Sequence, residues 1–151
     1  MMVSLKEKLY EQCLLFVQKR LANIQQAIDN AGESANDETK SSAGDKHETG
    51  RAMAQLEQEK NSKQLSEAIE LKKQLEKINP NQQSEKVAAG SIVATNKGRF
   101  YISISAGKLI VDKEIFFAVS PTSPIAVQFM GLEKKGKISI NGTEYKIESV
   151  F

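Results

Sequence analysis

One apolar stripe along residues 5–31 constrains the fold of this chain more than any other feature of its sequence. Its side chains recur at intervals of three and four: Leu5, Leu9, Cys13, Phe16/Val17, Leu21, Ile24, Ala27/Ile28 and Ala31. This spacing is typical of one face of an α-helix, here about seven turns long. Ser4 and Glu7 have the spacing of a capping box, so the helix is predicted to begin at Ser4. A stripe of this length needs a second element to pack against.

A second helix, predicted from about Glu48 to Ile78, supplies that partner. Its inward-facing set is predicted to be Met53, Leu56, Leu65, Ala68/Ile69, Lys72 and Leu75/Ile78. The helix ends at Asn79-Pro80, because proline has no backbone N–H and disfavours helix in the residue before it. Residues 1–80 are therefore predicted to form an antiparallel two-helix coiled-coil hairpin, with helices of about 40–50 Å. Residues 57–64 are polar throughout, which predicts a weakly packed middle.

The segment between the two helices, from Gly32 to Gly44, has no large apolar residue and is predicted to be the turn, with an acidic tip near residues 33–48. Asp45 and Glu48 stand three apart at the start of the second helix, which places them on one helix face. Two carboxylates so placed could jointly hold a hard divalent cation through oxygen. The same spacing is also typical of an N-cap with acids in the first turn, and spacing alone favours that plainer interpretation.

After a polar linker at residues 81–86, the apolar pattern changes to a period of two, which indicates β-strands over residues 87–151. The predicted strands are Ser91–Thr95, Arg99–Ser105, Glu114–Val119, Lys137–Ile140 and Glu144–Val150. Asn141-Gly142 predicts a hairpin turn between the last two. Ser123-Pro124 predicts the N-cap and first position of a short helix that ends near Gly131. The predicted fold class is α+β, a helical hairpin followed by a small antiparallel β domain with one helix.

Composition and charge exclude several classes of protein. A chain of 151 residues is short for an enzyme built on a large α/β scaffold. Cys13 is the only cysteine and His47 the only histidine, which excludes an internal disulfide and a multi-cysteine zinc site. A net charge of +2 is too small to indicate duplex nucleic acid binding. Without a long apolar segment or a signal-peptide pattern, the chain is expected to be soluble and cytoplasmic, with no membrane partner.

The other chemistry-bearing side chains are predicted to be structural. Cys13 lies on the apolar stripe, so it is expected in the core and not as a nucleophile. His47 has no evident partner and is expected at the surface. Lys134, Lys135 and Lys137 form a basic cluster that is either a solvated turn or a docking edge. Since no catalytic constellation is present, the protein is predicted not to be an enzyme itself.

Two motifs resemble one known family. The stretch Gly44-Asp45-Lys46-His47-Glu48 resembles the Gly-Asp-x-x-Glu tip of the Gre family of bacterial transcript cleavage factors. The second half resembles that family's C-terminal FKBP-like domain in the order and approximate spacing of Ser123-Pro124-Ile125-Ala126, Gly131, Gly136, Gly142, Tyr145, Ile147 and Val150. The resemblance covers nearly the whole chain. It implies that residues 87–151 form a small FKBP-like domain that docks on a partner.

The resemblance implies an RNA polymerase-binding elongation factor that acts as a monomer. In that family the C-terminal domain docks at the mouth of the polymerase secondary channel, and the coiled coil reaches the active centre. Asp45 and Glu48 would then help, in trans, to hold a second magnesium ion that activates water to cleave backtracked RNA. The protein would have no cofactor of its own, and it would meet the RNA 3′ end only indirectly. Ser123, Pro124, Lys134 and Lys135 are the implied partner-binding residues.

The stretch Thr49-Gly50-Arg51-Ala52 departs from the Asn-Ala-Glu-Tyr that commonly follows the tip glutamate in the family. This departure keeps open a second interpretation, in which the protein is a Gre-like paralogue that occupies the channel and inhibits or modulates transcription. Two further alternatives are an FKBP-like chaperone or prolyl isomerase, which normally needs an aromatic pocket floor, and a coiled-coil adaptor whose tip acids serve as caps. Transcript cleavage in a backtracked complex distinguishes the first two interpretations.

Overall fold

The computed structural model describes residues 4–39 and 44–151, with the backbone alone for residues 32–39 and 44–49. The chain forms the helices α1 (Leu5–Thr39), α2 (Gly44–Glu76) and α3 (Pro124–Phe129). Its strands are β1 (Ile92–Thr95), β2 (Gly98–Ile102), β3 (Gly107–Val111), β4 (Glu114–Val119), β5 (Lys137–Ile140) and β6 (Thr143–Val150). Two long helices pack together and precede a six-stranded sheet with one short helix. The predicted α+β class is confirmed.

The chain divides into two compact units. One, the sheet unit, comprises Met1–Phe16 and Leu71–Phe151, and the other, the hairpin unit, comprises Val17–Glu70. The sheet unit thus contains the first turns of α1 and the last turns of α2 together with all six strands. The sequence predicted a hairpin over 1–80, a linker over 81–86 and a docking domain over 87–151. These boundaries stay a prediction.

In the hairpin unit both helices are longer than predicted. The turn was expected to start at Gly32, but α1 continues to Thr39, and α2 begins at Gly44 instead of near Glu48. One glycine inside a long helix costs only about 1 kcal/mol relative to alanine, and the residues that follow it include helix-favouring glutamate and alanine. The predicted turn is therefore wrong for residues 32–39, while residues 40–43 lie outside the described part of the chain.

The inward face of α2 in the hairpin unit also differs from the prediction. Met53 and Leu56 were expected to face inward, yet they are 64% and 62% exposed. Lys72, from the same predicted set, is exposed as well. Ala68 is buried as predicted, and so are Leu75 and Ile78 further along the chain, but Asn61 and Gly50, which were not predicted to face inward, are buried too. Hydrophobicity therefore identified the inward face correctly from Ala68 onward and failed at Met53 and Leu56.

The six strands follow the order β3-β4-β2-β1-β6-β5. Four of the five strand pairs are antiparallel, but β2 and β4 are parallel, with Phe100 opposite Phe117. The predicted purely antiparallel sheet is therefore wrong at this pair. The reason is β3, which sequence patterning missed: the chain leaves β2, forms β3 at the sheet edge, and returns as β4 in the direction of β2. The predicted turn at Asn141-Gly142 is confirmed, with φ of 49° and 80°.

Both faces of the sheet carry buried residues, although Ile110, Ile115 and Phe117 of β3 and β4 are exposed. On one face α3 packs its buried Ala126 and Phe129 over a core that includes Phe100, Ile102 and Ile147. On the other face Leu109, Val111, Phe116 and Ala118 are buried. The first turns of α1 cover the edge strand β3, because the Gln12 side-chain amide donates to the Ile110 carbonyl at 2.6 Å. Covering an edge in this way blocks unwanted strand pairing.

Candidate functional site

Asp45 and Glu48 lie in the first turns of α2, directly after its first residue Gly44. Residues three apart in a helix share a face, so the backbone places the two acids on one side of the helix start. This placement agrees with the prediction that both stand at a helix N-terminus. Their side chains, and that of His47, lie outside the described residues. Their use as metal ligands or as caps therefore stays a prediction.

Ser123 forms the predicted N-cap of α3, and Pro124 occupies its first turn. The Ser123 hydroxyl accepts the Ala126 backbone N–H at 3.4 Å and donates to the Ser120 carbonyl at 2.7 Å. Both bonds lie within the sheet unit, so this side chain already has a structural role. Pro124, in contrast, is exposed and remains available to a partner.

Two further exposed side chains on α3 were not predicted as part of a binding surface. Val127 is 58% exposed and Met130, at the end of the helix, 39% exposed. They follow Pro124 at intervals of three, so the three residues lie on the outward side of α3. We call Pro124, Val127 and Met130 the α3 surface. The sequence contained one signal for this exposed surface. The short helix is nearly all apolar, and so has more apolar residues than one buried face requires.

Lys134 and Lys135 lie in the turn between α3 and β5, and both are exposed. Lys135 has a φ of 80°, and its backbone N–H donates to the Ile147 carbonyl at 2.9 Å. The one acid of this turn, Glu133, lies 4.0 Å from Lys86. The two lysines thus flank the C-terminal side of α3, while Ser123 and Pro124 begin it. Their role as partner contacts stays a prediction.

Cys13 is a core residue, as predicted. It is fully buried, with its Sγ 3.6 Å from the hydroxyl of Ser103. Burial raises the pKa of the Cys13 thiol to about 11, although the hydrogen bond to Ser103 opposes the shift. A thiol in this state is a poor nucleophile at neutral pH. The neighbouring Tyr101 hydroxyl is also buried and has no hydrogen-bond partner in the described part of the chain, and burial raises its pKa as well.

Lys6 is a buried lysine that sequence patterning did not single out. It is 7% exposed, and its ammonium donates to the Gln82 carbonyl at 2.6 Å. Burial lowers the pKa of Lys6, because the charged form loses solvation. The bond joins the start of α1 to the segment that was predicted as a linker. This segment is therefore tied to the sheet unit through a side chain 76 positions away.

Two properties of the described residues bear on the class of protein. Among them no group of three or more His, Cys, Asp or Glu side chains could hold a metal ion. In the same part of the chain, no helix combines the length and the apolar character needed to cross a membrane. In comparisons with known proteins, no protein-family model, no curated protein and no solved structure matches the chain.

Proposed function

We propose that this chain is an RNA polymerase-binding transcription elongation factor that stimulates cleavage of backtracked RNA. One observation carries the proposal. Two long helices pack together, and the second begins with Gly44 directly followed by Asp45 and, three residues later, Glu48. Two acids are thereby held at one end of a helix pair, where they can meet a site inside a partner. The chain acts by entering the secondary channel of bacterial RNA polymerase.

The dimensions of the helices support this mode of action. α1 has 35 residues and α2 has 33, so each is roughly 50 Å long. In the hairpin unit Ala27 and Ala31 of α1 line a groove with Gly50 and Ala54 of α2. Four of the residues that line this groove are alanine or glycine. Gly50, which departs from the family pattern, is buried here and has a packing role.

The chemistry expected of the two acids is limited and specific. Carboxylate oxygens are the ligands that Mg²⁺ prefers, and an Mg²⁺ ion takes about six oxygen ligands. Asp45 and Glu48 supply too few, so the polymerase and the RNA phosphates must supply the others. A bound Mg²⁺ lowers the pKa of a coordinated water and so favours attack on a phosphodiester. The contribution of this chain is to bring two carboxylates to that ion and orient them.

The test uses stalled, backtracked elongation complexes from the same organism and follows shortening of the RNA 3′ end. The unmodified chain is expected to accelerate shortening, and Asp45→Asn and Glu48→Gln are each expected to lose at least about tenfold of that acceleration. Asp29→Asn is the matched control, because it removes an exposed carboxylate of α1 and is expected to leave the acceleration unchanged. Binding to the polymerase is measured in parallel for all four proteins.

The outcomes separate the proposal from its alternatives. If the unmodified chain binds polymerase but slows transcription without shortening the RNA, the channel-occupying regulator is correct. If Asp45→Asn and Glu48→Gln act as well as the unmodified chain, the metal-holding role is wrong. Absence of any binding to polymerase contradicts the proposed function as a whole.

A further inference from the structure

A cavity in the sheet unit lies where the first turn of α1, the segment after α2 and strand β1 meet. Its volume is about 260 Å³. The apolar part of its wall is formed by Leu5, Pro80, Ile92 and Phe151, all within the sheet unit. Lys6 also lines the cavity, and among the described residues that do so it is the only charged one. The cavity thus combines an apolar wall with one positive charge.

The charge of Lys6 has no counter-charge in the described part of the chain. The residue is 7% exposed, and within the ranges 4–31 and 50–151 its ammonium forms no ion pair. The Gln82 carbonyl accepts one of its three N–H groups at 2.6 Å, which leaves two donors. Buried charges are normally paired, because removing a charge from water costs free energy. Lys6 is therefore a charge that a bound anion would compensate.

The first turn of α1 places further donors beside Lys6. The helix has 35 residues, and its N-terminal end carries a partial positive charge. The Ser4 hydroxyl accepts the Glu7 N–H, but among the described residues the N–H groups of Leu5 and Lys6 have no acceptor. N–H groups at a helix start bind anions readily. A helix start alone does not define a site, but this one lies in the wall of a cavity, next to a buried ammonium.

The apolar wall continues into a second cavity. Leu5, Ile92 and Phe151 line both cavities, and Phe116 lines the second one. The charged residues of the second cavity have both signs and are Arg99, Lys113, Glu114 and Glu148. Because these charges offset one another, the second cavity does not select a negative group. An anionic head group therefore belongs beside Lys6, and an apolar tail can follow the shared wall.

We propose that the cavity beside Lys6 binds a small organic carboxylate with an apolar tail. The carboxylate accepts the remaining N–H donors of Lys6, and the tail covers apolar surface that is otherwise in contact with water. The site does not depend on the proposed function, because it lies in the sheet unit, whereas the two acids at the start of α2 lie in the hairpin unit. A ligand that binds only the folded chain stabilises it.

The first arm of the test uses octanoate as the probe and the full chain, with isothermal titration calorimetry and thermal melts. Octanoate at a large excess over its dissociation constant is expected to raise the melting temperature by a few degrees. 1-Octanol has the tail without the charge, and acetate has the charge without the tail. Each is expected to bind at least about tenfold more weakly than octanoate. If octanoate does not bind, or if 1-octanol binds as tightly, the inference is wrong.

The second arm tests the charge with Lys6→Gln. Glutamine retains a donor for the Gln82 carbonyl but has no positive charge, so the affinity for octanoate is expected to fall at least about tenfold. Lys108→Gln is the matched control, because Lys108 is exposed on β3 and lies outside the cavity. It is expected to bind octanoate as the unmodified chain does. Equal affinity of Lys6→Gln and the unmodified chain would contradict the assignment.

The third arm tests the wall with a variant that leaves the core intact. The Phe151 side chain is 50% exposed, so Phe151→Ser is expected to fold normally and to weaken octanoate binding by about threefold or more. Ile110→Ser removes a side chain of similar exposure outside the cavity, and it is expected to bind octanoate normally.

Nuclear magnetic resonance locates the bound octanoate independently of any variant. The backbone amide signals of Leu5, Lys6 and Ile92 are expected to shift as octanoate is added to the unmodified chain, because all three residues line the cavity. Octanoate that binds without shifting these signals occupies another place, and the proposed site is then wrong.

Discussion

Asn61 illustrates how a single polar side chain can weaken the packing of a long helix pair. The residue is 2% exposed, and its side-chain Nδ2 has no hydrogen-bond partner among the residues that the structure describes. A buried donor without an acceptor loses its hydrogen bonds to water and gains none in return. In coiled coils, an asparagine at an inward position lowers stability but restricts the helices to one register. Asn61 is placed to have this effect in the hairpin unit.

Replacing Asn61 by leucine is therefore expected to stabilise the protein, by about 1–2 kcal/mol in the free energy of unfolding. Leucine has nearly the same volume and no donor to satisfy. Chemical denaturation followed by circular dichroism measures the change. Asn23→Leu, at an exposed position of α1, is the control and is expected to change stability little. A less stable Asn61→Leu protein would show that the amide has a partner after all.

Cys13 gives the protein a predictable pH dependence. Its pKa is about 11 in the folded protein against an ordinary 9.0, so the folded state holds the thiol proton more tightly. The stability that the bound thiol proton contributes is fully present below pH 9 and is lost as the pH rises from 9 through 11. The loss is expected to be about 2–3 kcal/mol. Urea denaturation at pH 9 and at pH 11 measures this loss of stability.

The control for this pH dependence is Cys13→Ala. Alanine leaves a small cavity and lowers stability at every pH, but it has no thiol to titrate. Its stability should therefore fall less than that of the unmodified chain between pH 9 and 11. Tyr101, whose pKa is also raised by burial, is present in both proteins and contributes to both curves. Equal pH dependence in the two proteins would contradict the assignment to Cys13.

Among the elements, α3 depends most clearly on one residue, its N-cap Ser123. Its N-cap Ser123 accepts the Ala126 N–H and donates to Ser120, as described above. Ser123→Ala is expected to lower the free energy of unfolding by about 1 kcal/mol. Ser123→Asp preserves an N-cap acceptor and is expected to lose less. Thermal melts of the two variants measure the difference, and equal stability of all three proteins would show that the cap contributes nothing.

The same variants separate a structural role of Ser123 from a role in partner binding. If the residue acts only as a cap, Ser123→Asp should bind RNA polymerase normally. A loss of binding by Ser123→Asp without a loss of stability would instead support the direct contact that the sequence predicted. This comparison matters because Pro124 and the rest of the α3 surface are exposed beside it.

At the scale of the whole molecule, the start of α1 belongs to the same compact unit as the sheet. It covers β3 through Gln12, pairs Lys8 with Asp112, and places Cys13 beside Ser103. A fragment of residues 81–151 loses all of these contacts and exposes the sheet face that they cover. It is expected to melt at a lower temperature than the full chain, or without a cooperative transition.

The control for the fragment experiment is the full chain under the same conditions. Binding of a hydrophobic dye is expected for the fragment, because Leu109, Val111 and Phe116 lose their cover. A fragment that melts cooperatively at the temperature of the full chain would show that the strands and α3 fold independently. The result also decides how deletions must be designed when the docking surface is mapped.

Part of this fold was predictable because its signals are local. The N-cap at Ser4 is present, because the Glu7 N–H donates to the Ser4 hydroxyl at 3.1 Å. The helical stripe, the strands on either side of Asn141-Gly142 and the cap at Ser123 were likewise identified. Each depends on residues a few positions apart, where period and backbone preference decide the structure. The helix start that contains Asp45 and Glu48 belongs to this class.

The remaining features were decided only by the tertiary structure, because they depend on residues far apart in the chain. β3 was missed since its turn, Asp112-Lys113, lacks the glycine that normally marks such a hairpin. Without β3, neither the parallel pairing of β2 with β4 nor the exposure of Ile110, Ile115 and Phe117 could be predicted. The burial of Asn61 and the exposure of Met53 and Leu56 on α2 were likewise not predictable from hydrophobicity. The sequence by itself thus determined most of the elements and the placement of two acids near the start of α2, whereas long-range contacts determined β3, the sheet pairing and which surfaces remain exposed.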